Sequence, residues 1–258
     1  MLATRVIPCL LLDRGRLVKT IRFADPKYVG DPINAVRIFN DKEVDELLVL
    51  DIGATPQARG IDFALLGELA SECFMPLAYG GGITSLAEME RLFRLGIEKV
   101  VFNSAAVESP GLVREAAAAF GSQSVVVAID VKRDWLGRAR VRYCGGKKTA
   151  KSTLEQHLAA MQEAGAGELV INSIDRDGTR SGYDLKTLRV AAAAVTMPVI
   201  ALGGAGSLAH MREAADRAGV SALAAGSLFV FHGPNRAVLI QYPGYDALGE
   251  AFSGNPLS

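Results

Sequence analysis

Two carboxylates stand where parallel strands should end. Asp130 closes the apolar run VVVAID, and Asp177 follows a later apolar run in the polar loop SIDRDGTRSGYD. A carboxylate at the carboxyl end of such a strand can act as a general acid or base. A helix cap or a loop ion pair is the alternative for Asp130, and a turn residue is the alternative for Asp177. Both are candidates for acid–base chemistry.

Two glycine turns indicate anion binding, because a glycine turn before a helix points backbone N–H groups and the positive helix end at a ligand. In each case small polar or glycine residues end the next apolar run and should lie beside the turn. The sequence thus predicts two phosphate cradles and a ligand with two phosphates. The first cradle would contain Gly81, Gly82, Asn103 and Ser104, and the second Asp177, Gly178, Gly203, Gly204, Gly226 and Ser227.

Four charged residues open strands at the opposite end: Arg5, Glu46, Lys99 and Glu168. Strand side chains alternate between faces, so Lys99 shares a face with Asn103, and Glu168 shares one with Asn172. If the asparagines point inward, the two positive and two negative charges could form a closed ring of ion pairs. A surface cluster of salt bridges is the alternative.

These residues need a scaffold of alternating strands and helices. Helical patterns cover segments such as 85–95, 110–119, 153–164 and 207–218, and short β-rich runs separate them. This alternation predicts an α/β protein made of a single (β/α)₈ TIM barrel over residues 1–232. An irregular tail over 233–258 is expected to pack on the barrel or to extend from it. The predicted strands are 4–12, 46–52, 77–80, 98–103, 124–130, 168–173, 198–202 and 222–225.

The two glycine turns belong to a weak internal repeat. PLAYGGGITSLAEMERLFRLGIEKVVFNSAA in one half of the chain corresponds to PVIALGGAGSLAHMREAADRAGVSALAAGS in the other. In each, an apolar strand, a Gly-Gly turn, a helix and a second strand follow in the same order. We interpret this pattern as a half-barrel internal repeat.

Composition excludes several partner classes. The chain has 28 basic and 28 acidic residues, which argues against a nucleic-acid or anionic-membrane partner. No apolar run is long enough for membrane insertion, no signal peptide is recognisable, and the three cysteines lack metal-ligand spacing. We therefore expect a cytoplasmic protein with no metal and no cofactor. The single tryptophan, Trp135, is expected to pack in a loop.

Longer strings resemble a known family. FGSQSVVVAIDVKR (120–133), GAGELVINSIDRDGTRSGYD (165–184) and IALGGAG (200–206) resemble the cyclase subunit of imidazole glycerol phosphate synthase, and the similarity covers roughly residues 1–232. The resemblance implies a barrel that docks a class I glutaminase on its N-terminal face. Ammonia would pass through the barrel to a cyclase (lyase) site of histidine biosynthesis at the far face.

The resemblance also implies roles for individual residues. The four strand-opening charges would be an ammonia gate, Glu98 would contact the glutaminase, and Lys19 would be a catalytic residue on a mobile loop after strand one. Asp130 would be one of two catalytic aspartates. The position of the other is occupied by Leu11, and Asp13 lies two residues too far along the chain.

Leu11 is one of three departures from the family pattern. Leu202 stands where a small polar residue is expected, and the segment GPNRAVLIQYP has no helical period. Together they resemble a divergent, glycosyl-amidation-associated branch, whose barrel serves a sugar amidotransferase that makes an acetamidino sugar of a surface polysaccharide such as lipopolysaccharide. An authentic cyclase is the alternative. An isomerase of the sister half-barrel family would have no use for the gate.

Overall fold

Eight parallel strands form a closed barrel in the computed structural model, which describes residues 4–233 and 235–253. The barrel closes where its first strand, β1, pairs with its last strand, β12, and Arg5 lies opposite Ala222. On its other side β1 pairs with β4, and Leu11 lies opposite Leu50. This confirms the predicted (β/α)₈ architecture. The barrel strands are β1 (Arg5–Asp13), β4 (Leu47–Asp51), β5 (Leu77–Gly80), β6 (Lys99–Phe102), β7 (Val125–Arg133), β10 (Glu168–Ser173), β11 (Val199–Leu202) and β12 (Ala222–Ala225).

Helices surround the barrel. Several begin at capping residues that satisfy free backbone N–H groups, including reciprocal Ser85–Glu88 and Thr153–Gln156 capping boxes. The helices are α1 (Pro32–Asp41), α2 (Phe63–Glu72), α3 (Leu86–Arg94), α4 (Ser104–Glu108), α5 (Pro110–Phe120), α6 (Leu154–Glu163), α7 (Leu185–Ala194), α8 (Leu208–Ala218), α9 (Ser227–Val230) and α10 (Tyr245–Ser253).

The strands bury side chains on both faces, as parallel strands covered by helices do. The larger apolar core lies between strands and helices. A second, smaller cluster fills the inside of the barrel, and every barrel strand contributes to it. Its barrel-strand members are Ile7, Cys9, Leu11, Leu48, Ala78, Val101, Val126, Ala128, Val170, Ile200, Leu202, Ala222 and Ala224.

Two hairpins extend the barrel at its carboxyl-terminal end, which we call the upper mouth. Strands β2 (Arg16–Ile21) and β3 (Ala24–Gly30) continue antiparallel from β1. Strands β8 (Ala139–Tyr143) and β9 (Lys148–Thr149) continue antiparallel from β7. Neither hairpin is among the predicted strands.

The hairpins correct two sequence expectations. Lys19 lies in strand β2 and not in a loop, because β2 is hydrogen-bonded to β1 on one side and to β3 on the other. Trp135 does not pack against the protein. It occupies the turn between β7 and β8, where none of the described elements covers it, and 90% of its surface is exposed.

The segment after residue 232 is more regular than the sequence predicts. Short strands β13 (Phe231–His232) and β14 (Ala237–Val238) pair, and helix α10 follows. The Tyr242 hydroxyl donates to the Val6 carbonyl at 3.0 Å, so the segment is anchored beside the start of β1. The irregular-tail prediction is thus wrong for Tyr245–Ser253, where Leu248 is buried. Residues 1–3, 234 and 254–258, which the domain prediction included, lie outside the described residues.

In the described part of the chain, no helix combines the length and apolarity needed to cross a bilayer. The same residues contain no group of three or more His, Cys, Asp or Glu side chains that could hold a metal ion.

Candidate functional site

A cavity of about 310 Å³ opens at the upper mouth. All the residues predicted for catalysis and phosphate binding line this cavity. The barrel thus brings them together at one site. They are Leu11, Lys19, Gly81, Gly82, Asn103, Ser104, Asp130, Asp177, Gly178, Gly203, Gly204, Gly226 and Ser227.

Asp130 is buried at the centre of this cavity and held by two asparagines. The Asn172 amide donates to its Oδ1 at 3.0 Å, and the Asn103 amide donates to its Oδ2 at 3.2 Å. Burial in apolar surroundings is the largest influence and raises the pKa of the carboxyl to about 7, although the hydrogen bonds from the two asparagine amides lower this pKa. A carboxyl with this pKa can exchange protons near neutral pH, as a general acid or base requires.

The raised pKa has a consequence for stability. An unfolded aspartate ionises near about 3.9, whereas folded Asp130 keeps its proton to about pH 7. The folded state therefore binds more protons between these values, and its free energy of unfolding should fall as pH rises from about 4 to about 7. In Asp130→Asn this contribution should vanish. Urea unfolding of both proteins across this range measures the difference, and parallel profiles would contradict the assignment.

Part of the cavity wall is apolar. Leu11 pairs in register with Leu50 on the neighbouring strand, and Leu202 lies next to Asn172 on β11. Leu11 and Leu202 are only 7% and 8% exposed, and both line the cavity, so this part of its wall is apolar. Asp130 therefore has no carboxylate partner at the position of Leu11, whereas Lys19 and Asp177 line other parts of the same cavity.

The first predicted cradle lies around the turn after β5. Gly81 and Gly82 have φ values of 131° and 73°, which glycine adopts without strain. The Gly82 N–H contacts the Thr55 hydroxyl at 3.3 Å. Ser104 begins the short helix α4 directly after Asn103, and its hydroxyl accepts a bond from the Cys144 N–H at 3.0 Å.

The second predicted cradle lies around the turn after β11 and the end of β12. Gly203 and Gly204 have φ values of 88° and 111°. The Ser227 hydroxyl is buried and has no hydrogen-bond partner among the described residues, so it is available to a ligand. Lys19 is 5% exposed, and a Cβ on Gly226 would lie 2.4 Å from its ammonium group. The buried Lys19 cation thus stands beside the second cradle.

Asp177 is engaged in holding the β2–β3 hairpin over the cavity. Its carboxylate accepts from the Thr20 hydroxyl at 2.8 Å, and its backbone carbonyl accepts from the Arg22 N–H at 3.0 Å. Gly178 packs so closely on this hairpin that a Cβ would lie 2.3 Å from the Thr20 carbonyl oxygen. These two residues fasten the hairpin to the rim, which the sequence does not predict.

The four strand-opening charges meet at the other end of the barrel, which we call the lower mouth. Arg5 donates to Glu46 and to Glu168 at 2.6 Å each, and Lys99 contacts the same two carboxylates at 3.0 Å each. Each charge thus has two partners of opposite sign, and we call this closed set the ion ring. Glu98 lies beside the ring and its side chain is exposed.

Sequence reasoning missed three residues of the site. Asn172 is not among the predicted site residues, yet its amide donates to Asp130. Thr20 and Asp51 also line the cavity, and the buried Asp51 carboxylate accepts the Gly53 and Ala54 N–H groups and pairs with Arg59. A signal for Asp51 was present, since it ends the run DELLVLD as Asp130 ends VVVAID.

Comparison with known proteins places this geometry in a family. Residues 5–234 match the family model described as "Histidine biosynthesis protein". A Pseudomonas aeruginosa protein named "Putative imidazole glycerol phosphate synthase subunit hisF2" is 52% identical over 249 residues, which are 96% of this chain and 99% of that protein. A Leptospira borgpetersenii protein named "Putative imidazole glycerol phosphate synthase subunit HisF" is 48% identical over 245 residues, 94% of this chain and 96% of the relative.

A Vibrio vulnificus protein named "Putative imidazole glycerol phosphate synthase subunit hisF3" is 45% identical over 245 residues, which are 94% of each chain. The family model and each of these relatives match this chain over nearly the whole barrel. The chain therefore belongs to the histidine biosynthesis protein family, among the cyclase subunits of imidazole glycerol phosphate synthase.

Proposed function

We propose that this chain is the ammonia-channelling barrel subunit of a glutamine-dependent complex that amidates a sugar of a surface polysaccharide, and that it does not itself close the imidazole ring. A glutaminase subunit docks over the lower mouth, and ammonia leaves through the upper mouth to a sugar amidotransferase. One observation carries the proposal: the ion ring is complete, whereas the upper cavity has an apolar wall at Leu11.

The ion ring supports entry at the lower mouth. Glu46 is buried, and Arg5, Lys99 and Glu168 are half-buried. A charge buried without a partner would cost several kcal/mol. Four ion pairs hold them in one neutral set that closes the end of the barrel and could open when a partner binds. In this proposal the ring is the ammonia gate, and the exposed Glu98 contacts the glutaminase.

The inside of the barrel supports conduction between the two mouths. Above the ring, the inner cluster is entirely apolar and includes small side chains at Ala78, Ala128, Ala222 and Ala224. Neutral ammonia can cross such an interior, but the ammonium ion cannot without a large desolvation cost. The interior thus favours passage of the reactive, uncharged form.

The wall of the upper cavity supports a changed chemistry. The family resemblance implies a catalytic aspartate at the position of Leu11, and Leu11, Leu50 and Leu202 make this side of the cavity apolar. A cyclase would need its acid–base pair across this space. Asp130 has no carboxylate partner at the position of Leu11, and Asp177, which also lines the cavity, is bound to the Thr20 hydroxyl. This supports a conduit that has kept the family's cavity without its acid–base pair.

An authentic cyclase of histidine biosynthesis is the second candidate, and the rest of the cavity favours it. Asp130 has a pKa of about 7, Lys19 is buried in the cavity, and both glycine turns keep positive φ values. A ligand with two phosphates would place one at each cradle. Under this alternative, Asp130 would act with a substitute for the missing carboxylate.

Transfer of the glutamine amide nitrogen tests the proposal. The chain, its glutaminase and the sugar amidotransferase of the same organism would be mixed with [amide-15N]glutamine and an excess of unlabelled ammonium salt. We expect 15N to enter the amidated sugar far above its share of free ammonia, because channelled ammonia does not mix with solvent. Label at the bulk ratio, or only unlabelled product, would contradict channelling to this acceptor.

A further inference from the structure

The hairpin between β7 and β8 places an apolar tip at the rim of the upper mouth. Its turn carries Trp135, which is 90% exposed, and Leu136, which is 49% exposed. The turn itself is well held, since the Asp134 carboxylate accepts the Leu136 and Arg138 N–H groups at 3.0 and 2.9 Å. A rigid turn thus presents a large apolar surface to solvent, which commonly marks an interaction site.

The same hairpin is strongly basic although the chain as a whole is neutral. Residues 131–148 contain seven Lys or Arg side chains and one acidic residue, Asp134. Some of these charges have structural partners: Arg133 pairs with Asp184, and Lys148 pairs with Glu108. Arg142 donates to the Gly146 carbonyl at 2.7 Å and so fixes the β8–β9 turn.

Four exposed cations of the hairpin, Lys132, Arg138, Arg140 and Lys147, lack such ion-pair partners among the described residues. Two of them, Lys132 and Arg140, lie directly opposite each other in the β7–β8 register, where like charges are destabilising. Lys132 lies two residues after Asp130 on β7, and their partners on β8 are Arg140 and Arg142. The Lys132–Arg140 pair is therefore on the same face of the hairpin as Asp130, the face that leads out of the cavity. An anionic partner at the rim would offset this repulsion.

We infer that Trp135, Leu136, Lys132 and Arg140 form a docking surface for an acidic face of the enzyme that consumes the ammonia. This inference rests on the proposed function, because that enzyme must cover the mouth from which ammonia leaves. Tryptophan and arginine are the residues that most often dominate the energy of protein interfaces. The apolar tip would enter a pocket of the partner, and the two cations would meet its carboxylates.

A protein partner fits these features better than a membrane or a nucleic acid. The excess of basic residues over 131–148 is local, in a chain with zero net charge, whereas a nucleic acid needs a longer basic stripe. The hairpin also lies beside the upper mouth, through which ammonia leaves in the proposed function. Steering by the Lys132–Arg140 pair would raise the association rate at low ionic strength.

The test uses the chain in complex with its glutaminase and compares charge reversals. Lys132→Glu with Arg140→Glu is the test variant, and Arg114→Glu with Arg189→Glu, on exposed positions of α5 and α7, is the control with the same change in net charge. Affinity for the purified sugar amidotransferase should fall at least about 10-fold in the test variant only. Trp135→Ser should weaken binding similarly, without a change in net charge.

Product formation is the second measurement. Glutamine-dependent amidation should fall in the test variant, while amidation from added ammonium salt and glutaminase binding stay at the wild-type level. Wild-type affinity in the test variant would overturn the docking inference, although glutamine-dependent product from the wild-type complex would leave the proposed function standing. Wild-type complex that neither binds nor supplies the amidotransferase would overturn both.

A membrane partner has its own outcome. The wild-type and test complexes would be sedimented with vesicles of phosphatidylglycerol and phosphatidylcholine. Loss of vesicle binding in the test variant, together with unchanged affinity for the amidotransferase, would overturn the inference in favour of a lipid surface.

Discussion

Supplied with ammonium salt and the phosphorylated substrate of the cyclase reaction, this chain should turn over at least about 10²-fold more slowly than a family member with both catalytic aspartates. A positioned general acid or base contributes about 10²–10⁴-fold, and Leu11 can neither donate nor accept a proton. Formation of the imidazole product at saturating substrate measures the rate. Turnover within about tenfold of such a cyclase would show that the second carboxylate is dispensable.

Leu11→Asp, with Leu11→Asn as its matched control, separates proton transfer from simple polarity. Leu11 is 7% exposed and packs in the inner apolar cluster, so either polar group should cost about 1–3 kcal/mol of stability if it finds no partner. Only the aspartate can restore acid–base help. We expect a trace of activity in Leu11→Asp and none in Leu11→Asn. The activity of Leu11→Asp should stay low because Leu50 and Leu202 keep the rest of this wall apolar.

Lys99→Ala should uncouple glutamine hydrolysis from product formation in the complete complex. Removal of Lys99 leaves Glu46 and Glu168 against Arg5 alone, and two carboxylates then share one cation at the lower mouth. The disturbed ring should let ammonia escape, so more glutamine is hydrolysed than product is formed. The ratio of glutamate to amidated sugar measures the leak.

The Lys99 variant should still fold. Breaking a fully buried ion pair typically costs about 3–5 kcal/mol, but here Arg5 stays bonded to both glutamates and its side chain is 30% exposed, so the loss should be smaller. Lys186→Ala, at an exposed position of α7, is the control. A ratio of one to one in both variants would mean that the four charges are ordinary salt bridges and no gate.

The barrel and the placement of its site follow from local patterns that the sequence displays. Alternation with period two correctly predicts that Lys99 and Glu168 lie on the same face as Asn103 and Asn172, because a strand has no other way to orient its side chains. The Gly-Gly turns can also be recognised from a local pattern. Only glycine takes the φ values that these turns need at no steric cost.

Features that depend on tertiary contacts were not visible. The β2–β3 hairpin is held by Asp177, which is more than 150 residues away in the chain, and no local pattern indicates that contact. Trp135 looks like a packing residue by type, but its position in a hairpin turn leaves it exposed. Helix α10 was missed because its partner, α8, lies elsewhere in the chain and its anchor is the hydroxyl of Tyr242.

In the proposed function, this barrel passes ammonia on and does not close the imidazole ring. Growth of a bacterial strain that lacks its own cyclase subunit, on medium without histidine, tests this most directly. The strain would express this chain with its glutaminase, and a parallel culture would express a family member with both catalytic aspartates at the same level. We predict growth of the parallel culture only. Growth with this chain at a comparable rate would contradict the claim and identify the protein as a working cyclase.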